Sequence, residues 1–469
     1  MKNFFNYLLV IVFSLLVVIV YNSFLDPSIV GIEKSSVDGV YDTYIITYSN
    51  GKTDSLTIKN GEDAQDITIN DLYLATKTAL GKGDEYTMLD FINDYLSFTV
   101  QEKDEAKAYV GALSTVEVYS EFPMHLDYIS HKTSNEMAAG AGVIYKPEGS
   151  AENEYYIITN YHVVCDGNSL TENNLATKVT CFLYGSNVEI YETSVSFGGY
   201  SYTYGADAIN CQLVGGSINY DIAVLKVSNP EKITNSNAKP VTFFEGDAVV
   251  GETIVAVGNP GGIGASVTKG IVSLDREERT ATASDGITEI TFSAIRIDAP
   301  INSGNSGGGL FNVNGELLGI VNSKIVDESV EGIAHALPAV MVKRLADNVI
   351  ENASTTFVNP KKVDLEIVLG IESSKAEYDA QNLSIKIVEE VYVKTIKTTS
   401  VCKQLLYVGD VLQTITIGEK TYNLDRDFRL DDLTWLIQEN EVIVFEVLRS
   451  NNVVSVPVVI TADYIKSVA

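Results

Sequence analysis

Apolar residues in this chain come mostly as short runs closed off by Gly, Asn, Ser or Asp, and seldom at helical spacing. Segments 113–119, 142–145, 155–159, 222–227, 253–257, 270–274, 289–297 and 317–321 all have this form. Many short strands at such spacing predict barrels rather than a helical bundle. One stretch departs from the pattern: over 338–351, Val340, Val342, Leu345, Val349 and Ile350 recur with the period of a helix. Beyond residue 360 the β-rich pattern resumes at 365–371, 384–388, 391–393, 406–415, 442–448 and 453–460, with a helical stretch at 430–438. Near the start, runs 41–48 and 53–58 flank Asn50-Gly51, a hairpin signature because both central turn residues need positive φ. Short helices are then expected at 71–80 (Leu72, Leu74, Ala75, Leu80) and 86–96 (Met88, Phe91, Ile92, Leu96).

Phe4 to Tyr21 is an 18-residue apolar run broken only by Asn6 and Ser14 and preceded by Lys2. That length can span a bilayer with the basic end cytoplasmic, so an uncleaved single-pass anchor in the cell membrane is expected, the bulk lying outside. A cleaved signal peptide is the alternative, but no small-x-small pair follows the run. The implied layout is an anchor (1–24), an acidic spacer (25–107), a β-barrel unit (108–356) and a terminal β-rich unit (360–469). The spacer region from Asp26 to Val110 holds 16 acidic and 7 basic residues, and no chemistry is legible in it.

The whole chain carries a formal charge of −29. That excludes nucleic acid and anionic lipid surfaces as partners, since both need a basic face. No cysteine or histidine stands at ligand spacing to another, so neither metal nor cofactor is expected.

The chemistry centres on Gly304-Asn305-Ser306-Gly307-Gly308, a serine on a glycine-rich turn between apolar segments. A nucleophilic serine needs such a tip, with backbone N–H groups beside it for the oxyanion. Read alone, the string is equally a glycine-rich hairpin turn. Two further stretches change the balance: 155–164 is an apolar strand ending on His162, and Asp221 leads into the apolar strand 222–227. A serine hydroxyl attacks only when a base takes its proton and a third group fixes that base. Of the four histidines (His125, His131, His162 and His335), only His162 ends a strand before a Val-Val pair. The order His162, Asp221, Ser306 is that of chymotrypsin-like double barrels.

In these motifs, and in Val257-Gly258-Asn259-Pro260 and Gly332-Ile333-Ala334-His335-Ala336-Leu337-Pro338, the chain resembles the HtrA/Deg serine proteases from about residue 108 onward. The resemblance implies a mainly β fold: a trypsin-like double β-barrel with the triad in its cleft, then a PDZ-like α+β domain. It makes Ser306 the nucleophile, His162 the general base, Asp221 the orienting carboxylate, and the N–H groups of Gly304 and Ser306 the oxyanion donors. It implies a homotrimer acting on misfolded or exposed extracytoplasmic polypeptides. A non-proteolytic peptide-binding or chaperone protein on the same scaffold is the alternative, and an esterase a third that nothing favours.

Several features depart from that family. His162 and Asp221 are 59 residues apart, which is long for it. The excess falls in 195–210, rich in Tyr, Gly and Ser, and is expected to be a surface loop. Asp207 within it is the outside candidate for the carboxylate, although no apolar strand follows it. Pro300 stands six residues before the serine, where a trypsin-like pocket carries a carboxylate, so cleavage after Lys or Arg is not expected. His335 occupies a usually apolar position in the segment that lines the primary pocket of the family; it could favour an acidic substrate side chain, or be a packed core histidine. Among Cys165, Cys181, Cys211 and Cys402, three pairings are open, and a Cys181–Cys211 bond would staple the long insertion. In the terminal unit, Gly409-Asp410 followed by a strand, a helix and a hairpin resembles a PDZ domain, with Thr398 to Leu405 in place of the usual helix before it. By that likeness Val368, Leu369, Gly370 and Ile371 form the loop that receives the C-terminus of a protein.

Overall fold

A computed structural model describes residues 29–38, 41–48, 52–59, 77, 110–127, 132–195, 199–323, 332–379 and 384–468. The chain divides into two compact units, residues 1–104 and 105–469. In the first, β1 (Ile29–Asp38), β2 (Tyr41–Tyr48) and β3 (Thr53–Lys59) form an antiparallel sheet in that order. β2 and β3 pair from Thr47↔Thr53 to Tyr41↔Lys59, the register of the expected hairpin. The apolar run 4–21 and the helices expected at 71–80 and 86–96 lie outside the described residues, Lys77 excepted. Among the described residues no helix is long and apolar enough to cross a membrane.

The second unit opens with two closed six-stranded barrels. The first is built from β4 (Thr115–Asp127), β5 (Lys132–Tyr145), β6 (Tyr156–Thr159) and β7 (Lys178–Leu183). After a hairpin of β8 (Ile190–Val195) and β9 (Gly199–Tyr204), it is completed by β10 (Ile209–Ser217) and β11 (Ile222–Val227). The second comprises β12 (Thr253–Gly258), β13 (Ser266–Thr282), β14 (Glu289–Ile297), β15 (Gly309–Asn312), β16 (Leu317–Asn322) and β17 (Ala334–Pro338). Helix α1 is the single turn Tyr161–Val164, and α2 (Ala339–Glu351) fills the stretch of helical periodicity.

The apolar runs read as continuous rather than alternating because their strands are buried on both faces. Ile157 and Leu225 belong to one core cluster, with Val116, Val118 and Ile144; Ile158 and Val224 belong to another, shared with Val255, Val257, Phe311, Ile320 and Leu337. On β12 the alternation is the same: Ile254 and Ala256 join a third cluster with Ile295, Val321 and Ala336. Leu345, Ala346 and Val349 of α2 are fully buried in the shared cluster, the burial that fixes so short a helix.

The insertion departs from expectation. Part of segment 195–210 is not a loop: β8 and β9 pair from Ile190↔Tyr204 to Val195↔Gly199. Tyr204 Oη donates to Glu121 Oε1 at 2.6 Å, and Asn135 Nδ2 donates to the Tyr200 carbonyl. Tyrosines and threonines alternate well on a pleated ribbon even where aliphatics are too few for a core.

The terminal unit contains β18 (Lys361–Val363), β19 (Ile367–Asp379), β20 (Ser384–Ile396), β21 (Val411–Ile417), β22 (Lys420–Asn423), β23 (Val442–Arg449), β24 (Asn452–Val459) and β25 (Ile465–Ser467). Sheet order is β19-β20-β21-β23-β24, with β22 on β21 and β18 paired to β25. Helix α3 spans Arg429–Thr434, shorter than expected, and the stretch from Thr398 to Leu405 is a series of turns. Val368, Leu369, Gly370 and Ile371 are not a loop but the start of β19, opposite Thr395, Val393, Tyr392 and Val391, with irregular register on either side of Leu369–Ile371. Their β-branched and apolar side chains favour pairing wherever a partner strand is in reach. Glu366, at φ 53°, supplies the turn just before them.

This unit docks on the second barrel through ion pairs. Arg276 Nη2 meets Asp432 Oδ2 at 2.7 Å, both side chains almost fully buried, and Arg429 grips both oxygens of Asp247 at 2.9 and 2.5 Å. A cavity of about 550 Å³ lies between the two, lined among others by Tyr220, Arg276, Lys362, Val368, Leu369 and Asp431.

Candidate active site

The turn carrying Ser306 is shaped by two glycines at positive φ, Gly304 (94°) and Gly307 (85°). A Cβ on Gly304 would lie 2.1 Å from the Asn259 carbonyl oxygen, and one on Gly307 would lie 2.0 Å from that of Ala141. Conformation and space both require glycine there. The turn is pinned at several points. Ala141 N–H donates to the Ser306 carbonyl at 2.8 Å, Gly307 N–H to that of Val321 at 3.0 Å, and Asn259 N–H to that of Gly304 at 3.2 Å. Among the described residues the N–H groups of Gly304 and Ser306 donate to no acceptor. Two backbone donors left open beside one hydroxyl are what an oxyanion requires.

His162 lies in α1 rather than on the strand before it, one turn beyond the end of β6. Its Nδ1 is 2.7 Å from Asp221 Oδ2, and its backbone N–H donates to Asp221 Oδ1 at 2.9 Å. Asn322 Nδ2 donates to the same Oδ2 at 2.8 Å. Asp221 is buried and stands at φ 50°, the left-handed region that a non-glycine residue occupies only when its surroundings hold it there. Here the hold is on its carbonyl, which accepts from Tyr161 N–H at 3.0 Å and from Asn160 Nδ2 at 2.9 Å. Asn160 precedes α1, yet its amide secures Asp221 instead of capping the turn. Asp207, by contrast, is exposed on the insertion and accepts from Asn187 N–H at 3.3 Å.

The Ser306 hydroxyl is held by Ser323: the two Oγ atoms are 2.5 Å apart, and Ser323 N–H reaches Ser306 Oγ at 3.2 Å. Among the described residues no hydrogen bond joins Ser306 to His162. The link between them runs through adjacent residues, with Asn322 on Asp221 and Ser323 on Ser306. Neither was singled out in the sequence, although a polar pair closing the buried run Leu317–Val321 is a signal that could have been used.

His335 is fully buried on β17, between Arg296 and Asn322 on the neighbouring strands. Its Nε2 is 2.7 Å from Glu277 Oε1, and Arg296 Nη1 lies 3.5 Å from the other oxygen of that carboxylate. A buried polar network links the first barrel to the loop beside the serine turn. Glu117 accepts from Tyr119 Oη at 2.8 Å and from Ala265 N–H at 3.2 Å, and Asn259 Nδ2 donates to Tyr119 Oη at 3.4 Å. Burial and the Glu117 bond push the Tyr119 phenol up to about 12.

Residues 140–320, which form much of the two closed barrels and hold His162, Asp221 and Ser306, match the family described as a trypsin-like peptidase domain. The chain is 29% identical over 308 residues to the serine protease Do-like HtrA of Bacillus subtilis, covering 64% of this chain and 58% of that protein. It is 31% identical over 287 residues to the periplasmic serine endoprotease DegP of Escherichia coli, covering 60% and 48%. A solved HtrA-type protease, AlgW with a decapeptide, aligns at 22% identity over 77% of this chain and 98% of its own, with a TM-score of 0.43. The chain is thus a homologue of the HtrA and DegP serine proteases, and it spans about half the length of the curated relatives it matches.

Proposed function

We propose that this chain is a serine endopeptidase of HtrA type that cleaves misfolded or exposed extracytoplasmic polypeptides. The observation that carries this reading is the grip of Asp221 on His162, one carboxylate oxygen on Nδ1 and the other on the backbone N–H. That grip leaves Nε2 as the basic nitrogen. Ser306 Oγ turns from Ser323 toward Nε2 and attacks the substrate carbonyl as His162 takes its proton. The developing oxyanion is received by the N–H groups of Gly304 and Ser306. Asp221 stays ionised and stabilises the imidazolium, which then gives its proton to the departing amine. Water enters by the same base and releases the acyl group. Asn322 holds the Asp221 carboxylate in place, and the bond from Ser323 to the nucleophile is the resting arrangement.

We assign 1–24 to a membrane anchor, 25–107 to a spacer, 108–356 to the protease and 360–469 to a PDZ-like domain, in a homo-oligomer whose catalytic part is extracytoplasmic. Residues Val368 to Ile371 then offer a strand edge to a peptide C-terminus, beside the cavity that Val368 and Leu369 line. Since the imidazole of His335 is committed to Glu277, it serves to pack the barrel rather than to select an acidic substrate.

The test compares the full chain with Ser306→Ala and His162→Ala on unfolded casein, and scores labelling by a fluorophosphonate. Cleavage and labelling of wild type alone are expected. Binding of casein without cleavage or labelling by wild type would overturn the reading in favour of a non-proteolytic chaperone.

A further inference from the structure

None of the four cysteines is in a disulfide, but two of them face each other. Cys181 on β7 and Cys211 on β10 lie on adjacent antiparallel strands, with Cys181 opposite Ile209 and Cys211 opposite Val179. They are therefore a diagonal pair on one face of the ladder, within side-chain reach of each other. The Sγ atoms are 3.6 Å apart. A disulfide needs about 2.05 Å, so the two sulfurs have roughly 1.5 Å left to close by side-chain rotation and a small adjustment of the two strands. Of the others, Cys165 reaches the Asn173 carbonyl at 4.0 Å, and Cys402 is buried in the core of the terminal unit.

We propose that Cys181 and Cys211 are a disulfide-forming site that cross-links the base of the insertion when the protein meets a low-molecular-weight disulfide. The two thiols differ in the way that sequential exchange requires. Cys211 is partly exposed, whereas Cys181 is fully buried among Val116, Val118, Ile144 and Ile209. The bond from Cys211, together with burial, pushes the Cys181 thiol well above its ordinary value. Cys211 is therefore the thiol that the small disulfide can reach, and its thiolate attacks one sulfur of that reagent. A mixed disulfide forms and one small thiolate leaves, taking up a proton. Cys181, deprotonated as it approaches, then attacks the Cys211 sulfur, and the second small thiolate departs and is protonated. Two protein thiols are oxidised by two electrons, and one small disulfide is reduced to two thiols.

The ring so closed contains the whole β8–β9 hairpin. That hairpin is already held on the first barrel by Tyr204 on Glu121 at its base and by Tyr202 Oη on the Asn135 carbonyl at 3.4 Å. The cross-link adds a covalent tie at the same base. It requires nothing of the Ser306 chemistry, so it stands or falls apart from the proposed function.

The experiment incubates the full chain in detergent with oxidised glutathione, then alkylates, digests and weighs it. The expected result is a loss of about 2 Da, two alkylatable thiols remaining of the four, a peptide joining Cys181 to Cys211, and a higher unfolding midpoint. Cys181→Ser should instead retain glutathione on Cys211, and Cys211→Ser should resist the reagent at Cys181. Four alkylatable thiols in treated wild type would overturn the proposal, as would a persistent glutathione adduct on Cys211 or a cross-link that includes Cys165 or Cys402.

Discussion

Tyr220, the residue just before Asp221, is anchored outside the barrel that carries it. Its hydroxyl donates to Asp431 Oδ2 at 3.0 Å and accepts from Lys362, which also pairs with Asp431. Its ring meets Trp435 edge-on at 5.3 Å, and the Lys362 ammonium sits 5.0 Å over that ring and 5.5 Å over the indole. Substitution separates these contributions. Tyr220→Phe removes two hydrogen bonds, one donated to the Asp431 carboxylate and one accepted from the Lys362 ammonium. Bonds to charged groups are worth about 1.5–3 kcal/mol where fully buried, and Lys362 and Asp431 keep each other as partners. The Asp431 side chain is 55% exposed, so about 1 kcal/mol is expected. Tyr220→Ala also removes the edge-on aromatic contact, about 1 kcal/mol, and the packing of a mostly covered ring, so a total of roughly 3 kcal/mol is expected. Because Asp221 is held at positive φ next door, the alanine variant should also lose kcat by up to about a hundredfold, the cost of a misplacement near 1 Å, with KM little changed. Trp435 is the only tryptophan and is 9% exposed, so its emission reports the contact directly. Urea unfolding followed at that signal should give midpoints in the order wild type, Tyr220→Phe, Tyr220→Ala, with a red-shifted native emission in the last. Equal losses in the two variants would refute the assignment of most of the energy to the ring. A wild-type midpoint and emission in Tyr220→Ala would refute the anchoring altogether.

Three further outcomes are expected. Ser323→Ala removes a bond that competes for the nucleophile, about 1 kcal/mol, so fluorophosphonate should label Ser306 roughly fivefold faster; slower labelling would show that Ser323 assists catalysis instead. Asn322→Ala withdraws one donor from the Asp221 carboxylate, about 2 kcal/mol for a buried charged acceptor, and kcat/KM should fall roughly thirtyfold; an unchanged value would mean that His162 alone orients Asp221. Burial opposes the charge on Asp247, but the Arg429 hydrogen bond and charge prevail and hold its carboxyl below the usual range. A lowered folded value means that this stabilisation is present above about pH 4, the ordinary aspartate value, and is lost as pH falls through the folded one. Urea midpoints from pH 6 to pH 3 should therefore fall more steeply for wild type than for Asp247→Asn, and parallel curves would contradict the pairing.

Local sequence determined much of this molecule because much of it rests on local requirements. Gly304 and Gly307 are demanded by positive φ and by carbonyls a side chain would strike. The unbroken apolar runs reflect strands covered on both faces, and the period over 338–351 reflects one buried stripe of α2. These signals lie within a few residues of the structure they specify. What decides between Asp221 and Asp207 is different in kind. Both are aspartates in short turns flanking β10, and only the pairing of β11 with β6 carries one of them to His162. Asn322 and Ser323 join the site because β16 ends beside the serine turn, where Val321 N–H donates to the Gly308 carbonyl and the Val321 carbonyl accepts from Gly307 N–H. The insertion became a hairpin through contacts with Asn135 and Glu121, more than 60 residues away. The start of β19 became a strand because β20 lay alongside, and Tyr220 found its anchors in Lys362 and Asp431. In each of these the partner is remote in the chain, and the pattern around either residue carries no record of the other. Cross-strand register and domain docking set such distances, and both are fixed only when the whole core packs.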